Sequence, residues 1–124
     1  MSKQVLEPDA THPITITPTA GRVTVTVDGL VVADSRAALT LQESTYPAVQ
    51  YIPRADVDMS LLQRTDHTTY CPYKGDCNYY SVVAAGDRGT NAVWTYEHPY
   101  TAVAAIRDHL AFYPDRVELV VHPD

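Results

Sequence analysis

Arg22-Val23-Thr24-Val25-Thr26-Val27-Asp28-Gly29-Leu30-Val31-Val32-Ala33-Asp34-Ser35 is the stretch that decides the fold class. Successive side chains of an extended strand point to opposite faces, so Val23, Val25 and Val27 fall together on one side and the threonines on the other. Asp28-Gly29 follows at once, the two-residue signal of a tight hairpin whose central positions need positive φ. Residues 30–35 then read as the return strand. A hairpin this well marked makes antiparallel sheet the frame for the rest of the chain.

Working outward, residues 38–43 read as a third strand and residues 46–53 as a fourth, closed near each end by Pro47 and Pro53. Residues 56–62 fit two patterns. Val57, Met59 and Leu61 alternate like a strand, while Asp56 is a residue type that caps a single helical turn; a short strand or turn is the favoured reading. Residues 68–73 and 78–84 form two strands around Lys74-Gly75-Asp76, with Gly75 supplying the positive φ such a turn needs. Residues 86–89 make another turn, and residues 91–96 a strand holding the sole Trp94. One helix is expected near residues 99–113. Pro99 suits a first helical position, Val103, Ile106 and Leu110 share a face, Ala102 and Ala105 lie beside them, and Pro114 ends it. Residues 116–121 close the chain as a strand. The fold class is mostly β (α+β). Residues 1–20, with Pro8, Pro13 and Pro18, read as an extended arm pairing at most loosely with a sheet edge. Residues 21–124 read as a single domain.

At 124 residues the chain suffices for one domain with a real core. A formal net charge of −6, with nine scattered Lys and Arg, argues against nucleic acid and against an anionic membrane surface as partners. No apolar run approaches the ~20 residues of a membrane span. Met1-Ser2-Lys3-Gln4-Val5 lacks the apolar core of a secretion signal, so a cytoplasmic protein with reduced thiols is expected. Nine tyrosines stand against one Phe and one Trp. An apolar ring with a polar tip suits a half-wet pocket or interface, although tyrosine is also a good strand residue.

Residues 69–81 gather both cysteines, four tyrosines and a lysine. Lys74 is close enough along the chain to lower the pKa of Cys71 and make it a nucleophile. The competing reading is a small buried Cys beside a solvated turn lysine. Cys71 and Cys77, separated by five residues, face a disulfide or a pair of metal ligands across the hairpin. Zinc would need His67 and His98 as well, and the short Cys-x-x-Cys spacing is missing; neither a metal nor another cofactor is expected. A reducing compartment disfavours the disulfide. An aromatic set of Tyr51, Tyr73, Tyr79, Trp94 and Tyr96 offers walls for a cation or a planar ring, against the alternative that Trp94 fills the core. Of the neighbours Tyr79 and Tyr80, one faces outward. Glu43, and Asp56 with Asp58, are candidate acids, set against surface and capping roles. His109 is expected on the polar side of the helix.

Ala33-Asp34-Ser35, Glu43-Ser44, Tyr51-Ile52-Pro53 with Asp56-Val57, Thr69-Tyr70-Cys71-Pro72-Tyr73-Lys74-Gly75, Tyr79-Tyr80-Ser81-Val82, Ala92-Val93-Trp94-Thr95-Tyr96-Glu97 with Pro99, and Ala111-Phe112-Tyr113 together resemble the family of domain of unknown function 427. The resemblance runs from about residue 22 to residue 121. It implies a β-tent, two antiparallel sheets meeting at an angle, akin to the thalidomide-binding domain of cereblon and to B-type methionine sulfoxide reductases. Some such relatives hold zinc through paired Cys-x-x-Cys motifs, which this chain lacks. The nucleotidyltransferase label sometimes attached to the family finds no Gly-Ser followed by paired acids here. Cys77 stands where the family usually carries alanine.

The leading expectation is a small cytoplasmic domain binding a planar or cationic small molecule. Tyr51, Tyr73, Trp94 and Tyr96 would form the pocket, with Glu43, Cys71 and Lys74 as polar contacts. The alternatives are an enzyme using Cys71 as thiolate, with Lys74 and Glu43 or Asp56 assisting, and a structural module forming a homodimer through tyrosines and the arm.

Overall fold

Ten strands build two antiparallel sheets, and the computed structural model describes residues 3–123. Residues 1 and 2 of the expected arm and residue 124 of the expected domain lie outside the described residues. The strands are β1 (Ile14–Pro18), β2 (Arg22–Val27), β3 (Leu30–Ser35), β4 (Leu39–Glu43), β5 (Val49–Pro53), β6 (Leu62–Cys71), β7 (Gly75–Val82), β8 (Val93–Thr95), β9 (His109–Phe112) and β10 (Glu118–His122). One sheet runs β1-β4-β5-β9-β8-β7-β6, the other β10-β2-β3. The expected β-tent class of mostly β structure in two antiparallel sheets therefore holds.

The β2–β3 hairpin turns at Asp28 (φ 50°) and Gly29 (φ 82°), both left-handed as a type I′ turn requires. Its inner face puts Val23, Val25, Val27 and Val32 against Ile52, Val82, Val93, Leu110 and Phe112 of the larger sheet. The far face of the larger sheet is covered too. Leu41, Tyr51, Cys77, Tyr79, Tyr96 and Ala111 pack there with Val103 and Ile106. Neighbouring residues thus enter different cores: Tyr51 and Ile52, Tyr79 and Tyr80, Leu110 and Ala111. Tyr79 and Tyr80 do face opposite ways, but neither reaches solvent freely, because both sides of the sheet are packed.

The helix expected over residues 99–113 does not form. A 3-10 segment covers only Thr101–Ile106, and His109–Phe112 is a central strand. Val103, where the segment kinks (φ −122°, ψ 26°), and Ile106 are both buried in the same core. Asp108 then takes φ +56° and its N–H bonds the Tyr96 carbonyl at 3.2 Å, turning the chain into β9. Leu110-Ala111-Phe112 is apolar throughout because both faces of β9 are buried, and such a run is not separable from a helix by spacing alone. His109 accordingly lies on a strand, its Nδ1 2.9 Å from the Arg107 carbonyl. Residues 54–61 form two 3-10 turns, Arg54–Asp56 and Met59–Leu61; the capping acid is Asp58, which accepts from the Ser60 N–H, whereas Asp56 accepts from the Ser35 hydroxyl at 2.6 Å.

Residues 14–18 of the expected arm pair with β4, Ile14 opposite Glu43. Residues before them run along the β6–β7 hairpin, where the Leu6 N–H reaches the Pro72 carbonyl and the Lys3 ammonium the Asp76 carboxylate.

The two-faced burial makes a simple contrast. Ile52→Ala is expected to lower the free energy of unfolding by about 2–5 kcal/mol, and Val120→Ala, on an exposed position of β10, by no more than ~0.5 kcal/mol. Urea denaturation of the two variants measures the difference.

Candidate functional site

The register of the larger sheet lines up Tyr79 on β7, Trp94 on β8 and Ala111 on β9 in one row. Ala111 has no bulk beyond Cβ, so the indole extends across β9 to β5. There Trp94 Nε1–H donates to the Tyr51 hydroxyl at 3.1 Å, the two rings meeting edge to face. On its other side Trp94 meets the Tyr113 ring, centroids 4.6 Å apart. These rings, with Tyr79, Tyr96, Val49 and the residues 46–48 connection, line a cavity of about 550 Å³. Burial pushes the phenols of Tyr51, Tyr79 and Tyr96 above their ordinary range, so they stay protonated and neutral at working pH.

The polar end of the cavity comes from β4 and from the β6–β7 turn. Gly75 at φ +110° lets the chain reverse directly after Lys74, and the Lys74 carbonyl is fixed by the Tyr100 N–H at 3.0 Å. Lys74 is 7% exposed. Its ammonium bonds Glu43 Oε1, and His12 Nε2 lies 2.8 Å from Glu43 Oε2. Burial alone would raise the Glu43 carboxyl, but the bonds from Lys74 and His12 outweigh it and hold the group below the usual carboxylate range. Among the described residues, Glu43 and Lys74 are the only carboxylate and the only ammonium on the cavity lining.

Of the residues singled out in the sequence, Glu43, Tyr51, Lys74, Trp94 and Tyr96 share this cavity wall, although they come from four different segments. Cys71 and Tyr73 are not on it. Cys71 Sγ sits 3.8 Å from Lys74 Nζ, half-buried behind the turn, and Tyr73 stacks on the His12 ring at 4.2 Å. Cys77 lies opposite Thr69, not Cys71, and both thiols are free. Cys77 is buried and its thiol pushed up by that burial. Asp56 and Asp58 are spent on Ser35 and Ser60. Among the described residues no cluster of three or more His, Cys, Asp or Glu is arranged to hold a metal, and His67 instead lies against the Tyr79 ring. Sequence reasoning missed His12, which lies 31 positions from its partner, and gave Tyr113 no site role although it belongs to a quoted motif.

The protein is thus a two-sheet, all-antiparallel domain with an aromatic cavity closed at one end by a buried ion pair. It belongs to the family described as Domain of unknown function (DUF427), which matches residues 15–123. No curated protein matches the chain. Among the described residues no helix is long and apolar enough to cross a membrane.

Removing one member of the ion pair leaves the other charge buried alone. Glu43→Gln is expected to cost about 2–4 kcal/mol in urea denaturation, and adding Lys74→Met to recover most of it. Because the folded Glu43 pKa is depressed, its contribution is complete above the ordinary carboxylate pKa and is lost as pH falls through the lower folded value. The acid limb of the unfolding curve should therefore flatten in the double variant.

Proposed function

We propose that this domain binds a small planar molecule in the cavity between Trp94, Tyr51 and Tyr113. The supporting observation is the Trp94 ring, held by its bond to Tyr51 and only half-buried although it stands in the row between Tyr79 and Ala111. An indole placed only to fill a core would be covered on both faces. A concave, mostly aromatic site with a few converging polar groups is the usual form of a small-molecule pocket. Between the planar and the cationic ligand, charge favours the planar one. Glu43 is already neutralised by Lys74 on one oxygen and engaged by His12 on the other, so a cation gains little from it and is left with the ring faces alone. The Tyr51 hydroxyl accepts from Trp94 and keeps its own hydrogen to offer, which suits a ligand carrying a carbonyl or ring nitrogen. Two free thiols agree with a reducing compartment, and a cytoplasmic location is part of the same proposal.

The neutral dye N-phenyl-1-naphthylamine tests the reading, with Trp94 as the only indole in the chain. Saturable dye fluorescence should appear together with quenching of Trp94 emission. Ala48→Phe, at the exposed rim, should weaken binding by about tenfold or more, ~1.4 kcal/mol, without adding a second indole. Dye binding that leaves Trp94 emission untouched, or that ignores the rim substitution, would remove the proposal.

One observation favours a second reading, an enzyme working through Cys71: its Sγ lies 3.8 Å from the Lys74 ammonium. An activated thiol alkylates with iodoacetamide at a rate whose pH midpoint lies well below the free-thiol value of ~8.5. On this reading Cys71 is labelled with such a midpoint and the buried Cys77 resists; a midpoint at the free-thiol value eliminates it.

A further inference from the structure

We infer that His12 is a positioning residue that fixes the Glu43 carboxylate and sets the charge of the cavity's polar end, so that the site gains preference for planar anions as His12 takes up a proton. This rests on the reading of the cavity as a binding site and adds a determinant of ligand charge that the cavity walls do not contain.

The imidazole is held from several directions. The Asp9 carboxylate accepts from the N–H groups of Thr11 and His12 at 2.9 and 3.0 Å, and the Ser44 N–H donates to the Pro13 carbonyl at 2.8 Å. The ring lies flat on Tyr73, 4.2 Å between centroids with 8° between planes, and meets Tyr46 edge-on at 6.2 Å. In that pose Nε2 reaches Glu43 Oε2 at 2.8 Å while Lys74 holds Oε1. Glu43 therefore has no free rotation about its carboxyl, and the Lys74 ammonium is aimed by a group that His12 itself braces. His12 precedes the region matched by the family, which begins at residue 15. The brace is supplied by the segment in front of β1.

The charges close simply. Lys74 contributes +1 and Glu43 −1 at the cavity wall, and the ionised Asp9, off that wall, adds −1 behind the imidazole, so a proton on His12 makes the polar end more positive by one charge. The charged and titratable groups facing His12 are Glu43, Tyr46 and Tyr73, with Asp9 on its own segment and Lys74 across Glu43. Glu43 and Asp9 are both held below the ordinary carboxylate range and stay ionised where an imidazole takes up a proton.

The experiment compares two dyes of nearly the same shape, 1-anilinonaphthalene-8-sulfonate, an anion, and neutral N-phenyl-1-naphthylamine, neither of which titrates from about pH 8 to about pH 5. In the unaltered protein the ratio of anion to neutral affinity should rise about three- to tenfold as pH falls across that range. In His12→Gln, which keeps an N–H near the same reach but cannot take a proton, the ratio should stay level. A level ratio in the unaltered protein, or an equal rise in His12→Gln, overturns the inference; the second result would point to another histidine. If neither dye binds, the cavity reading fails first. The bracing role is then decided without a ligand, by the ¹³C titration of the Glu43 side-chain carboxyl. Its apparent pKa should move up in His12→Ala and be restored towards the original in His12→Gln, whereas an unmoved value overturns the role.

Discussion

A strand buried on both faces has no side to give to solvent, and β5, β7, β8 and β9 are all in that position. At their central positions these strands supply apolar or satisfied side chains to both sides, and the pairs Tyr51–Ile52, Tyr79–Tyr80 and Leu110–Ala111 each feed two separate cores. One core, between the sheets, is mostly aliphatic. The other, on the far face, packs Tyr51, Tyr79, Tyr96 and the half-buried Trp94 with Leu41, Val103 and Ile106, under a short 3-10 segment and Ile14 and Ile16 of the sheet's own edge strand rather than under a second sheet. Covering a seven-stranded sheet with so little chain leaves part of the face open. The cavity is where the cover runs out.

The ion pair at its end follows from the same geometry. A lysine placed on the tight turn after β6 points over the open part of the sheet and loses nearly all its water. Desolvating an ammonium costs several kcal/mol, which the Glu43 carboxylate offsets because β4 brings it to the same end. Such a pair adds little net stability compared with two apolar side chains of the same shape. Its contribution is to orientation: one fixed donor and one fixed acceptor against walls that are otherwise uncharged.

Much of this was legible in the sequence, for local reasons. The 22–35 hairpin announces itself because one of its sheet's faces is solvated and the alternation is clean. The turn at Lys74-Gly75 is marked by its glycine. Glu43, Tyr51, Lys74, Trp94 and Tyr96 stood out by residue type and motif, and the fold brings those five to one wall. The misreading of residues 99–113 has the opposite cause. Where both faces are buried the period-two signal vanishes, and Val103, Ile106 and Leu110 imitate a helical stripe while actually dividing between two cores. His12 was invisible for a different reason. Its role depends on a contact closed by β1–β4 pairing, and nothing near it in the chain indicates that a carboxylate will arrive there. Cys71 and Tyr73 drew notice through the company they keep in sequence, yet alternation and the turn carry them off the cavity.

The excess of tyrosine over phenylalanine has a structural explanation that bears on what the cavity can bind. Phe112, the sole phenylalanine, is 2% exposed, packs with the core between the sheets and also borders the cavity. The tyrosines sit where a ring can be buried while its tip reaches a partner: Tyr51 to Trp94, Tyr79 to Thr69, Tyr80 to Arg54 and Arg64, Tyr70 to Tyr100. Each bond removes the rotational freedom that a phenylalanine in the same place would keep about its χ angles. On the cavity wall Tyr51 and Tyr79 are held in this way before any ligand arrives, and a flat molecule entering would meet those two rings already ordered. Preorganisation of this kind lowers the entropic cost of binding. On the proposed reading it would favour flat, stiff partners over flexible chains, which lose their own freedom on binding.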